Sequence, residues 1–358
     1  MEKNKSKLIY PFTVDTYPLA KLFSKKDMDV TFASPEGLSL VGKDLSYCVN
    51  REKINKNVVN LDKALQQNKY DEILIPTFNN YELLKSDLNK IIQYATHRNI
   101  KVNSLDELDE FKDDIKKINQ EGTHKLEHIM NSLNTVNAKY YEDVKAIVIF
   151  VVGLFETIDS TLISMITADL FNDSSYNVKI ISNKKECILN NGYNYPLDFL
   201  NSKDISKRII SLNRFIQALE ISESPDIIFV DIPGGLLRKD EFWHNDFGLY
   251  LHLIGLSVKP DYIISTIAFN MANSEFLDGL NEHIISEFNK KIDVFSITNT
   301  LINTEQHVVE NIDRPVYTDL QPFMENIKEL KEKRSDVMYL DNLSEFMELK
   351  TKIIKDLS

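Results

Sequence analysis

Residues 151–161 read VVGLFETIDST, directly after the apolar run AIVIF. An apolar strand that runs into a glycine loop and a Ser-Thr helix start has the layout of a phosphate-binding loop, G-x-x-x-x-G-K-[ST]. In that frame Gly153 is the first glycine, Ile158 stands where the second belongs, Asp159 replaces the lysine, and Ser160 holds the hydroxyl position. The lysine of such a loop brings positive charge to the β and γ phosphates, and Asp159 reverses the sign. Two like charges about 4 Å apart repel by about 4 kcal/mol at an effective dielectric of about 20. The helix N-terminus attracts an anion by only about 0.3–1 kcal/mol where exposed and up to about 2 kcal/mol where partly buried. Repulsion wins, and the sequence predicts a degenerate P-loop scaffold with no micromolar affinity for nucleoside triphosphates.

A second stretch belongs with the first. PDIIFVDIPGG (225–235) reads as a buried strand ending in Asp231, and a strand beside a phosphate loop often ends in an aspartate that reaches magnesium. Gly234 and Gly235 allow close backbone approach to a ligand, although Pro-Gly-Gly also makes a turn with no ligand at all. EFWHNDFG (241–248) places Trp243, His244 and Asn245 in a polar-aromatic loop at the carboxyl end of a sheet, where α/β proteins bind ligands. Its plain alternative is that Trp243 covers the core and Asn245 or Asp246 caps a helix. The candidate ligand- or partner-binding set is Gly153, Glu156, Asp231, Gly234, Gly235, Trp243, His244 and Asn245.

Other motifs are thinner. HKLEH (124–128) matches the H-x-x-E-H zinc pattern in form, but it lies in a charged segment and has no third ligand, so a solvent-facing helix is expected. In SPEGLSLVGKDLSY (34–47), Gly37, Gly42 and Lys43 suit an anion nest and Ser39 a donor, against the reading of a plain surface loop. No Ser-His-Asp or Cys-His arrangement can be drawn. Cys48 and Cys187 have no partner spacing and read as small buried hydrophobes. Catalytic residues are unassigned, and neither a metal nor a cofactor is expected.

Strands alternating with helices must position these residues. KLIYPF (7–12), DVTFASP (29–35), NVVN (57–60), DEILIPTF (71–78) and IKVNSL (100–105) read as strands; 16–26, the segment starting at Leu61, and 81–99 read as helices. A second series has strands at 146–153, 177–182, 225–235, 260–270 and 292–299, with helices at 159–173, 202–222, 245–259 and 274–291. Asp159 or Ser160 would cap the first of these helices. The runs 146–153, 226–231 and 262–268 are apolar on both faces and should be adjacent parallel strands. The fold class is α/β: two tandem Rossmann-like parallel-sheet domains, the second with a degenerate P-loop-like topology. The expected organisation is an N-terminal domain (1–104), a helical connector (105–145), the P-loop-like domain (146–303) and a C-terminal helical extension (304–358).

A chain of 358 residues has room for two cores. Its 43% hydrophobic and 27% charged residues are ordinary for a globular protein, and the net charge of −12 disfavours nucleic acid and anionic membranes. MEKNKSK runs straight into LIYPF, too short an apolar run for a signal peptide, and no apolar stretch of about eighteen residues occurs. A cytoplasmic location is expected.

Taken together, YPFTVDTYPLAKL and SPEGLSLVGKD in the first half, with PDIIFVDIPGGLLRKDEFWHNDFGLYLHLIGLSVKPDYIIS in the second, resemble the peptide maturation system proteins. These are encoded beside radical-SAM enzymes and bacteriocin-like precursor peptides, and the similarity spans most of residues 8–303. The resemblance carries over no catalytic residue. It implies a glycine-glutamate loop, which Gly153 and Glu156 match, whereas IDST departs from the lysine-containing version expected of the family. It further implies an accessory role in ribosomal peptide (RiPP, bacteriocin-like) maturation. The partners would be a precursor peptide, a carrier protein or a peptide-modifying enzyme, with no nucleic acid and no membrane, and a homo-oligomer stays open. The alternative is an ATP- or GTP-dependent enzyme of the same pathway that uses the degenerate loop, and a third reading is a structural scaffold.

Overall fold

A computed structural model describes residues 5–67, 69–118, 121–136, 143–236, 248–301 and 316–358. The chain forms two compact units, Met1–Asn119 and Gln120–Ser358.

The first unit is a six-stranded parallel sheet: β1 (Lys7–Ile9), β2 (Val30–Ser34), β3 (Val59–Asn60), β4 (Glu72–Ile75), β5 (Lys101–Ser104) and β6 (Lys116–Lys117). Their spatial order is β3-β2-β1-β4-β5-β6, so the winding reverses at β1. Helices α1 (Tyr17–Lys25), α2 (Leu61–Gln67) and α3 (Lys85–Arg98) make the crossovers. Each turns a stripe inward; on α3 it is Leu88, Ile91, Tyr94 and Ala95, spaced three and four residues apart.

The second unit holds β7 (Ile147–Gly153), β8 (Val178–Ser182), β9 (Gly192–Asn194), β10 (Ile227–Ile232), β11 (Tyr262–Ala268), β12 (Val294–Thr298) and β15 (Val337–Met338) in one parallel sheet. The order is β15-β12-β11-β7-β10-β8-β9. As the apolar runs require, β7, β10 and β11 are adjacent, parallel and buried, with Asp231 opposite Val151 and Thr266 opposite Gly153. A small antiparallel pair, β13 (Thr300–Leu301) with β14 (Val316–Tyr317), stands apart. The helices are α4 (Glu121–Val136), α5 (Ile158–Asn172), α6 (Leu197–Asn201), α7 (Ile205–Glu223), α8 (Leu249–Ser257), α9 (Ser274–Phe288), α10 (Leu320–Lys333) and α11 (Leu343–Leu357). Helix α5 is buried from Ile158 to Phe171, because the sheet lies on one side and α11 on the other. This explains why IDSTLISMITADLF has no charged face.

Two expected boundaries are corrected. Residues 105–118 are no connector: β6 extends the first sheet, and Leu105, Leu108 and Ile115 are buried in that unit. Helix α4 belongs to the second unit, where it packs on α7 and buries Leu126 while Glu127 and His128 stay exposed. The side chain of His124, the other histidine of HKLEH, lies outside the described residues. Nor is 304–358 an appendage, because β15 is the edge strand beside β12 and α11 covers α5. A capping box fixes the start of α11: Glu345 N–H donates to Asn342 Oδ1 (3.1 Å), and Asn342 N–H donates to Glu345 Oε2 (3.1 Å).

Candidate functional site

At the carboxyl end of β7 the chain turns through residues 154–157 into α5, the spacing of a phosphate-binding loop. The helix cap is Thr157, not Asp159 or Ser160 as the sequence suggested. Its Oγ1 accepts from Asp159 N–H (3.3 Å) and donates to Asp159 Oδ2 (3.1 Å). Asp159 is 2% exposed. Its carboxylate therefore lies in the first turn of the helix, where the dipole favours negative charge.

Asp231 ends β10 alongside. It is buried, and its Oδ2 accepts from Thr161 Oγ1 (2.9 Å) on α5 and Ser182 Oγ (2.7 Å) at the end of β8. Burial pushes its carboxyl above the ordinary value, against the opposing pull of hydrogen bonds from Ser182, Ser160 and Thr161 and the charge of Lys184. Tyr195, also buried, donates from its hydroxyl to the Asp231 carbonyl (3.0 Å), and burial first, then the Asp231 charge, raises its phenol far above normal. Three strand ends and one helix are thus tied to a single residue.

The glycines serve this closure. A Cβ on Gly153 would lie 2.2 Å from the Phe155 carbonyl oxygen, and one on Gly235 would lie 2.7 Å from the Leu154 carbonyl oxygen. Leu236 N–H donates to the Gly153 carbonyl (3.0 Å), so the Pro-Gly-Gly turn, with Gly234 at φ +75°, is sewn onto the loop. The close backbone approach made by Gly235 is to Leu154 and Phe155 of the same chain, and both of these are buried. Glu156 stays at the rim, a third exposed, where it pairs with Lys184 (2.9 Å).

Of the expected set, Gly153, Glu156, Asp231, Gly234 and Gly235 come together at the carboxyl edge of the second sheet. Trp243, His244 and Asn245 lie outside the described residues. Sequence reasoning missed Ser182, Lys184, Thr161 and Tyr195. The available signal was SNKK (182–185), the hydroxyl that ends the strand NVKIIS and the two lysines just beyond it. Cys187 is buried as expected, and burial raises its thiol well above its normal range. Among the described residues no group of three or more His, Cys, Asp or Glu side chains could hold a metal ion. No helix among them is long and apolar enough to cross a membrane.

No protein-family model matches the chain. No curated protein matches it significantly in sequence. Among solved structures, the chain is similar to a DUF1611 family protein from Anabaena variabilis, at TM-score 0.55 and 10% identity, covering 98% of this chain and 100% of that one. The likeness shows a shared α/β fold. Hydrogenase maturation factor HypB from Archaeoglobus fulgidus aligns at TM-score 0.31 and 10% identity, over 66% of this chain and 99% of that one. LpxK from Aquifex aeolicus, solved with ATP, aligns at TM-score 0.22 and 11% identity, over 55% of this chain and 61% of that one. Both are too distant to bear on the site.

Proposed function

We propose that this chain is a non-hydrolysing, cytoplasmic accessory component of ribosomal peptide maturation that binds a precursor peptide, a carrier protein or a modifying enzyme at the carboxyl edge of its second sheet. The observation that carries the non-hydrolysing part is Asp159, buried in the first turn of α5 where a phosphate-binding lysine would stand. The pathway rests on the resemblance of residues 8–303 to the peptide maturation system proteins. A phosphate-release assay with ATP or GTP and magnesium should give no turnover above the protein-free rate; clear turnover would remove the reading. Deleting the gene from a host that makes the modified peptide should stop the product, and an unchanged yield would sink the pathway assignment. If Trp243 anchors the partner, Trp243→Ala should weaken capture of the precursor peptide by about 2 kcal/mol.

A second reading, an ATP- or GTP-dependent enzyme of the same pathway, has two observations in its favour. The hydroxyl link from α5 to Asp231 is kept, and Lys184 brings a cation to the loop from another strand. On that reading turnover is present and Lys184→Ala abolishes it.

A further inference from the structure

Helices α6, α7 and α8 all begin at the carboxyl edge of the second sheet, and one arginine joins their starts. Arg208, in the first turn of α7, donates from Nε to the Phe199 carbonyl of α6 (2.6 Å). Its guanidinium carbon lies 5.4 Å from the ring centre of Phe199 and 5.2 Å from that of Tyr250 in α8, within cation–π reach of both. Phe199 stacks in turn on Tyr195 (5.1 Å, 27°), whose hydroxyl holds the end of β10 at Asp231. The cation is thus fixed beside the site described above, by contacts that engage a single N–H donor.

Its charge is unmatched. Arg208 is partly exposed, no carboxylate pairs with it among the described residues, and its Nη2 is enclosed without an acceptor. The acids on α6 and at the start of α7 are engaged elsewhere: Asp198 pairs with Lys207 (3.0 Å), and Asp204 Oδ1 accepts from Lys207 N–H (3.2 Å). In a chain of net charge −12, a half-enclosed guanidinium with no counter-charge points to an acid from outside.

Apolar side chains surround it. Leu197 opens α6, Ile205 opens α7 and Leu249 opens α8, and they are 74%, 57% and 42% exposed. Each is close in sequence to a member of the clamp: Leu197 to Phe199, Ile205 to Arg208, Leu249 to Tyr250. Exposed aliphatics gathered around an arginine and aromatic rings have the composition of an interface core.

We propose that this surface docks a segment of a partner chain in which one Glu or Asp side chain, flanked on both sides by aliphatic residues, pairs with Arg208 while its neighbours cover Leu197, Ile205 and Leu249. A carboxylate suits the single charge and the planar guanidinium. Because the apolar side chains come from three helices around the cation, the acid belongs within the segment and not at its end. The inference rests on the reading of this edge as a partner site and names what the site selects.

The test uses three peptides: acetyl-Leu-Glu-Leu-amide, acetyl-Leu-Gln-Leu-amide, and acetyl-Leu-Gln-Leu with a free carboxyl end. Each is titrated into the full chain by calorimetry. The glutamate peptide should bind with a dissociation constant tighter than about 1 mM, and the glutamine amide at least about tenfold more weakly. Binding of the glutamate peptide should weaken as salt rises. Arg208→Gln should lose at least about tenfold in affinity for the glutamate peptide. Since Arg208 also braces α6, the double variant Leu197→Ser, Ile205→Ser is the second measurement; it changes two exposed side chains, should keep its melting temperature and should weaken the same peptide severalfold. The tripeptides probe the surface itself, so a precursor peptide that fails to bind while they bind removes the functional reading and leaves this site in place. No binding of the glutamate peptide, equal binding of the glutamine amide, a preference for the free carboxyl end, or an affinity unchanged in both variants would each overturn the proposal.

Discussion

Each unit surrounds an aspartate with hydrogen-bond donors near the carboxyl end of a parallel sheet, and the two surroundings act in opposite directions. Asp44 in the first unit collects backbone and hydroxyl donors from Ser46, Ile54 and Asn55; burial raises its carboxyl, but these bonds outweigh burial and hold it below the ordinary value. Asp231 in the second unit also has donors, yet burial outweighs them and its carboxyl is raised. Beside Asp44 the exposed Lys43 and Lys53 line an open groove. Beside Asp231 the chain fills the space with its own hydroxyls, Leu154 and Phe155. The balance of burial against hydrogen bonds sets the direction in which each carboxyl shifts.

The glycines give the largest expected effect. Gly153→Ala sets a Cβ 2.2 Å from a backbone oxygen and should cost about 3 kcal/mol or more in urea unfolding. Gly42→Ala meets open space, and only its φ of +81° opposes the change, so the cost should be about 1–2 kcal/mol. If Gly42→Ala were the worse of the two, the second loop would not be as tightly closed as described.

The aspartates differ in sign. A lowered folded value means that Asp44 contributes stability above the ordinary carboxylate range, and that this is lost as pH falls through its folded value. A raised folded value means the reverse for Asp231: stability falls as pH rises from the ordinary range through its folded value. Urea unfolding across pH 3 to 8, taken as wild type minus Asp44→Asn and wild type minus Asp231→Asn, should give slopes of opposite sign. Each is bounded by about 1.4 kcal/mol per pH unit. Slopes of one sign would erase the contrast.

The smallest effect belongs to the rim. Glu156 and Lys184 are each about a third exposed. Glu156→Gln should therefore change stability by no more than about 1 kcal/mol, and a larger loss would place the pair inside the closed knot.

The strands that carry the second site were legible because β7, β10 and β11 are apolar on both faces, a pattern that only a covered parallel sheet tolerates. β6 was not legible: its residues are Lys116 and Lys117, exposed on a sheet edge, where short charged strands deter further pairing. The same charge made 105–118 read as a connector. Gly153, Glu156 and Asp231 were legible from loop spacing, since a short turn fixes their distance from a strand end. Ser182, Lys184 and Tyr195 reach the site through β8 and β9, which lie beyond β10 in the sheet, and strand order is set by long-range packing that local sequence does not carry.

Asp159 stands buried in the first turn of α5, at the position of a phosphate-binding lysine. Titration of ATP with magnesium into wild type and Asp159→Lys measures directly whether it excludes a nucleotide. Wild type should show no binding tighter than about 10 μM, and Asp159→Lys, provided its melting temperature shows a folded chain, should bind more tightly than wild type. Wild-type binding at or below that constant, weakened by the lysine, would mean that Asp159 does not exclude a nucleotide.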